Sequence, residues 1–164
     1  MPLFIVTGLY TGRRTEAILS LRWSQIDLEA SLIDFEIAGR QRTKKKRGKV
    51  PIPSRLLPHL KRARRRGSDL VLVFHINGRP IRSIKKGFAA ASRRAGLQEV
   101  TPHTLRHTAA TWLMQKGVPL WEASGFLAMS QETLQRVYGH HHPDFMRRAA
   151  DAIGARPQNV RVIR

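Results

Sequence analysis

From Thr101 to about Ala155 the chain keeps helical spacing almost without a break, and this constrains the fold more than any other feature. Thr101-Pro102 joins a capping residue to the residue favoured at the first helical position, so His103 and Arg106 fall on one face of the helix's first turns. Gly117-Val118-Pro119 breaks that helix, and Leu120 to Ala128 forms the next. Ser130 caps a third, with Glu132 and Thr133 in its first turn, and Gly139 closes it just after Tyr138. Pro143-Asp144 opens a last helix carrying Phe145, Met146, Ala149, Ala150 and Ile153.

The earlier residues are mixed. Met1 to Thr7 is apolar and helical but has no basic flank, long apolar core or small-residue cleavage site, which excludes a secretory signal. It reads as a helix entered partway along. A second helix starts near Arg14 and carries Ala17, Ile18, Leu19, Leu21 and Trp23 at helical intervals. Ile26 to Leu28 and Leu32 to Ile37 then alternate, and Lys49-Val50-Pro51-Ile52 closes a small antiparallel sheet. A very basic loop, Arg40 to Lys49, joins its second and third strands. Ser54 is placed to cap a helix that runs to Arg66, and Leu70 to Phe74 is a short strand candidate. Asn77-Gly78-Arg79-Pro80 is a turn, and Ser83 opens a helix with Ile84, Phe88, Ala91 and Ala95 on one face. The expectation is an α+β fold, mainly helical, with a small antiparallel sheet in the N-terminal part. Residues 1–154 form one domain and 155–164 a basic tail, poorly ordered when alone.

Charge narrows the partner. There are 30 Lys and Arg against 11 Asp and Glu, a formal net charge of +19, which attracts a polyanion far beyond what solubility requires. No apolar run approaches the roughly 20 residues that span a bilayer, and no basic amphipathic anchor stands out. Cysteine is absent, which excludes a disulfide framework, a thiolate nucleophile and Cys-ligated zinc.

Arg13 or Arg14, His103, Arg106 and Tyr138 come from distant segments, and together they suit in-line attack on a phosphodiester. Arg forks bind the nonbridging oxygens, His handles a proton and Tyr supplies a covalent nucleophile. Tyr138 is one of two tyrosines; the other, Tyr10, lies in the opening apolar helix and reads as core. Thr11-Gly12-Arg13-Arg14 precedes a helix ending in Leu21-Arg22-Trp23, and a basic hairpin runs into Val50-Pro51-Ile52. His103-Thr104-Leu105-Arg106-His107-Thr108 follows, and Tyr138 stands before the final helix. In order, spacing and context these motifs resemble the catalytic domain of the tyrosine recombinases, the phage integrase family, over nearly the whole chain.

The resemblance implies cutting and rejoining of double-stranded DNA through a 3′-phosphotyrosyl intermediate at Tyr138, with no metal or cofactor. Counting back from Trp23 places the first arginine at Arg14, whereas an Arg-x-x-Glu match selects Arg13 with Glu16. Arg106 completes the phosphate clamp, and His103 accepts or relays the tyrosine proton. Lys44, with Lys45 as the alternative, protonates the leaving 5′-hydroxyl; Arg40, Arg42, Lys45, Lys46, Arg47 and Lys49 contact DNA backbone. His107 is expected to be a supporting or core residue. Two positions depart from the family: Ala17 stands where an acid is usual, and Met129 where a His or Trp donor is usual. His140 or His141 is a candidate to supply that donor, and metal binding by the 140–142 triplet is disfavoured because neighbouring side chains point in different directions. The resemblance also implies a missing DNA-clasping domain ahead of this one, and a tetramer on DNA at full length against a monomer for the fragment. The location is the cytoplasm of a bacterial cell, at the nucleoid, whether host- or phage-encoded. The competing readings are a type IB topoisomerase and a DNA-binding integrase remnant without activity.

Overall fold

The computed structural model describes residues 1–36, 48–67 and 71–155. Helix α1, Pro2–Thr11, runs to a left-handed turn at Gly12, and α2, Thr15–Leu19, starts after Arg14. A short 3-10 turn, Trp23–Gln25, leads into β1, Ile26–Asp27, which pairs antiparallel with β2, Leu32–Asp34. The Asp27 carboxylate accepts the amides of Glu29 and Ala30 and so shapes the connection. Strand β3, Lys49–Pro51, pairs with the other edge of β2, placing Ile33 opposite Val50. Both are buried, as alternation requires of a sheet with one covered face.

Helix α3 spans Leu57–Arg66. Ser54 does not cap it: residues 53–56 form a preceding turn in which Leu56 N–H donates to Pro53 O, and α3 starts after Leu56. The described part of the expected 70–74 strand forms an isolated bridge, Leu72 opposite Arg22, instead of a strand, with Trp23 N–H on Val71 O and Val73 N–H on Leu21 O. The hairpin strands lie just beyond it, β4 at His75–Ile76 and β5 at Arg79–Pro80. Asn77 and Gly78 both have positive φ, 50° and 77°, which is the two-residue turn that fixes this register. Helix α4, Lys85–Arg94, turns Phe88 and Ser92 inward and leaves Ala95 at its exposed end.

The remaining described chain is helical: α5 Pro102–Gln115, α6 Leu120–Leu127, α7 Gln131–Tyr138, a 3-10 turn Gly139–His141, and α8 Arg147–Gly154. Thr104 Oγ1 accepts the Thr101 amide ahead of α5, and Ser130 Oγ accepts the Thr133 amide at the start of α7. The last helix begins at Arg147 rather than at Pro143, because Met146 takes a left-handed conformation, φ 58°, that interrupts helical geometry. No residue of α8 is buried.

Two apolar clusters result. The larger gathers Phe4, Ile18, Leu21, Ile33, Phe35, Leu56, Leu60, Phe74 and Phe88 from α1 to α4 and the sheet. The smaller consists of Ala109, Ala110, Met114, Ala123, Leu127, Leu134 and Tyr138, from α5, α6 and α7. Among the described residues no helix is long and apolar enough to cross a membrane.

Candidate active site

The site lies where the clusters meet. Gly12 ends α1 with φ 59°, and a Cβ there would overlap Leu127 Cδ2, so the turn requires glycine on conformational and steric grounds. Its carbonyl accepts a hydrogen bond from Arg106 Nη1 at 2.5 Å. The same nitrogen donates to Leu127 O at 2.6 Å, and Nη2 donates to Ala128 O at 3.4 Å. Arg106 is 3% exposed, and the end of α6 and the turn after α1 are held to α5 by one guanidinium. Ala128 is left-handed, φ 49°, which ends α6 with its carbonyls available. Arginine has five N–H donors, and among the described residues no hydrogen bond occupies the Nε hydrogen or the second Nη2 hydrogen.

Burial first, and then the Arg14 charge, bring the Arg106 pKa down to about 10, with Tyr138 opposing the change. The guanidinium stays charged at neutral pH. Arg14, the residue before α2, is exposed, and its charge acts on both Arg106 and His103. Arg13 turns the other way: it is 4% exposed and its guanidinium lies 4.9 Å over the Phe35 ring. Arg13, Arg14, Ala17, Phe35, Arg106, Leu127 and Ala128 surround one small cavity. Ala17, at the position where the resemblance implies an acid, is buried in that wall.

His103 is exposed on the first turn of α5, and its pKa is lowered by partial burial first, then by His107, Arg106 and Arg14. Tyr138 belongs to the smaller cluster and is 5% exposed. Burial pushes the phenol pKa up, and Arg106 opposes the rise.

The Tyr138 hydroxyl lies 2.5 Å from His107 Nδ1. His107 is therefore no core residue; it is exposed, and its ring stands perpendicular to that of His103 with centroids 4.5 Å apart. Sequence reasoning passed over this contact. The available signal was the four-residue step from His103, which puts both imidazoles on one helix face.

Other expected residues lie apart or outside the described chain. Met129 is half-buried and packs against the smaller cluster. His140 is exposed, and its ring lies against His141 with centroids 4.0 Å apart; among the described residues no hydrogen bond joins either to Arg106, His103 or Tyr138. Lys49 is exposed on β3, opposite Asp34. Lys44, Arg40, Arg42, Lys45, Lys46 and Arg47 lie outside the described residues, as does most of the basic tail.

Known proteins share this arrangement at the level of fold. The chain superposes on the crystal structure of XerA recombinase with a TM-score of 0.71 at 24% identity, covering 94% of this chain and 58% of that one. It superposes on the Tn1549 transposon integrase, solved in complex with a circular intermediate DNA, with a TM-score of 0.75 at 18% identity over 92% of this chain and 57% of that one. In sequence it is 31% identical to tyrosine recombinase XerC of Chlamydia pneumoniae over 148 residues, which is 84% of this chain and 45% of that protein. Tyrosine recombinase XerA of Pyrococcus furiosus is 28% identical over 82% of this chain and 48% of its own length. The chain thus spans about half the length of these relatives. The profile of the phage integrase family matches residues 3–144, a stretch that takes in Arg14, His103, Arg106 and Tyr138 in order, and the chain belongs to that family.

Proposed function

We propose that this chain is the DNA-cutting part of a site-specific recombinase. The observation that carries the reading is the electrostatic neighbourhood shared by Arg14 before α2, His103 and Arg106 from α5 and Tyr138 from α7, with Arg106 keeping donors for an anion. The Tyr138 oxygen attacks the scissile phosphorus, and the bond to the 5′-oxygen breaks. Arg14 and Arg106 bind the nonbridging oxygens, where charge builds in the pentavalent transition state. His103 sits beside this centre, placed to accept or relay the tyrosine proton; Lys44 or Lys45 protonates the departing 5′-oxygen. The product is a 3′-phosphotyrosyl bond, and a second 5′-hydroxyl reverses the step to join new partners. The protein bond conserves the phosphodiester's energy, so rejoining needs no nucleotide.

The excess of basic residues supplies sequence-independent affinity for double-stranded DNA. Recombination between two sites needs four protomers, so the whole protein acts as a tetramer on DNA. Incubation with a nicked suicide duplex is the test: a protein–DNA adduct that survives denaturation supports the reading. DNA binding without an adduct identifies a non-catalytic remnant, and relaxation of supercoils without a defined site identifies a topoisomerase.

A further inference from the structure

We infer that His107, through Nδ1, takes the proton from Tyr138 as the phenol attacks. The inference rests on the recombinase reading above and adds to it a residue in direct contact with the reacting oxygen. His107 Nδ1 lies 2.5 Å from Tyr138 Oη, whereas His103 is linked to that pair through its ring contact with His107. With the imidazole proton on Nε2, Nδ1 accepts the phenol's hydrogen bond. A histidine is fit for that task near neutral pH, because its basicity matches the range in which a proton must be taken up and released.

The buried phenol needs such an acceptor. Its ring is fixed within the smaller cluster, and its pKa is raised rather than lowered, so it does not ionise unaided at neutral pH. The step balances as follows: the Oη–H bond breaks and an Nδ1–H bond forms, while the phenolate electron pair makes the bond to phosphorus. The 5′-oxygen leaves with the electrons of the broken P–O bond and receives its proton from the general acid. The exposed imidazolium then releases a proton from Nε2 to water. The titratable groups in contact with it are His103 on α5 and Tyr138 on α7, and the charges of Arg106 on α5 and Arg14 before α2 act on the same His103.

The test is the rate of adduct formation on a nicked suicide duplex between about pH 5.5 and 9, a range that spans histidine titration. His107→Asn places an amide oxygen near the Nδ1 position, where it accepts the hydrogen bond but takes no proton. The expected result is a loss of about a hundredfold or more at neutral pH, within the range typical of proton-transfer catalysis. Its rate should keep rising with pH, where the unaltered protein levels off. A substrate with sulfur in place of the bridging 5′-oxygen, whose leaving group needs no proton, should not restore it. His107→Leu should lose the same activity, with folding checked by circular dichroism. Wild-type rates in His107→Asn overturn the inference, including the case in which only His107→Leu is impaired, since His107 then merely holds the ring. No adduct in the unaltered protein, or an adduct in Tyr138→Phe, overturns the nucleophile and with it this role. An adduct through Tyr138 that ignores His107→Asn overturns the His107 role alone.

Discussion

The two apolar clusters differ in what they are made of and in what they carry. The larger is built from long aliphatic and aromatic side chains, with Phe4 packed edge-on against both Phe74 and Phe88. The smaller depends on Ala109, Ala110 and Ala123, which let helices approach closely but contribute little area each. At roughly 25 cal/mol per Å² of buried apolar surface, the first region supplies most of the stability. The second holds the candidate nucleophile in its packing, and α8, which follows it, buries nothing. A reacting tyrosine must be placed accurately and yet reach DNA. Seating it in the lighter cluster satisfies both needs, because regions with little buried apolar contact open at low free-energy cost.

The comparison breaks most sharply at Tyr138. Tyr138→Phe should abolish the covalent adduct while leaving DNA binding intact. Its stability should fall only by about 0.5–1.5 kcal/mol, the worth of one hydrogen bond, since the buried ring remains. An undiminished adduct would move the chemistry to Tyr10.

The arginines come next and separate chemistry from packing. Arg106→Ala and Arg14→Ala should each slow cleavage by on the order of a hundredfold, the usual effect of losing a preorganised donor to the transition state. Their stabilities should differ. Loss of Arg106 strands buried carbonyls at a cost of about 1–3 kcal/mol, whereas the exposed Arg14 should matter by less than about 0.5 kcal/mol. Denaturant unfolding of the two variants reads this directly, and equal losses would mean that Arg106 does not join the regions.

Amide exchange sharpens the contrast without mutation. The amides of α7 should open at a free energy lower than those of α1 by about 1–3 kcal/mol, within the spread expected between a peripheral unit and a core. Equal protection would show the clusters to be one cooperative unit.

The smallest effect is a titration. His103 should titrate below the usual histidine range, because burial and the neighbouring cations favour its neutral form. The sign for stability follows: the contribution is present above the ordinary value of 6.5 and declines as pH falls from there, where the unfolded chain takes up the proton first. Arg14→Ala should raise the His103 titration point in an NMR pH series. No movement would place the Arg14 charge away from the site.

Much of this was legible in residue order. Pro102 and Ser130 mark helix starts, and alternation marks β2. In the structure the Arg14 charge acts on Arg106 and His103, while Arg13 is buried against Phe35 and lines the same small cavity. What local pattern does not encode is how α7 lies on α5. The His107 and Tyr138 pairing spans 31 positions, and the burial of Tyr138 depends on the same packing. The start of α8 was misplaced for a different reason: a left-handed Met146 is rare enough that propensity gives no warning of it.

The grip of Arg106 on Gly12 and Leu127 has a consequence for the order in which the proposed site is assembled. Synthesis runs from the N-terminus, so Arg14 emerges early, long before its partner arginine and longer still before the tyrosine. Until α6 and its cap have been made, Arg106 lacks two of the three carbonyls that hold it, and the two halves of the anion clamp have no fixed separation. A chain that stops short of α6 is therefore strongly basic but lacks an assembled clamp. The proposed site is complete only once α7 has been made and Tyr138 is packed against α5.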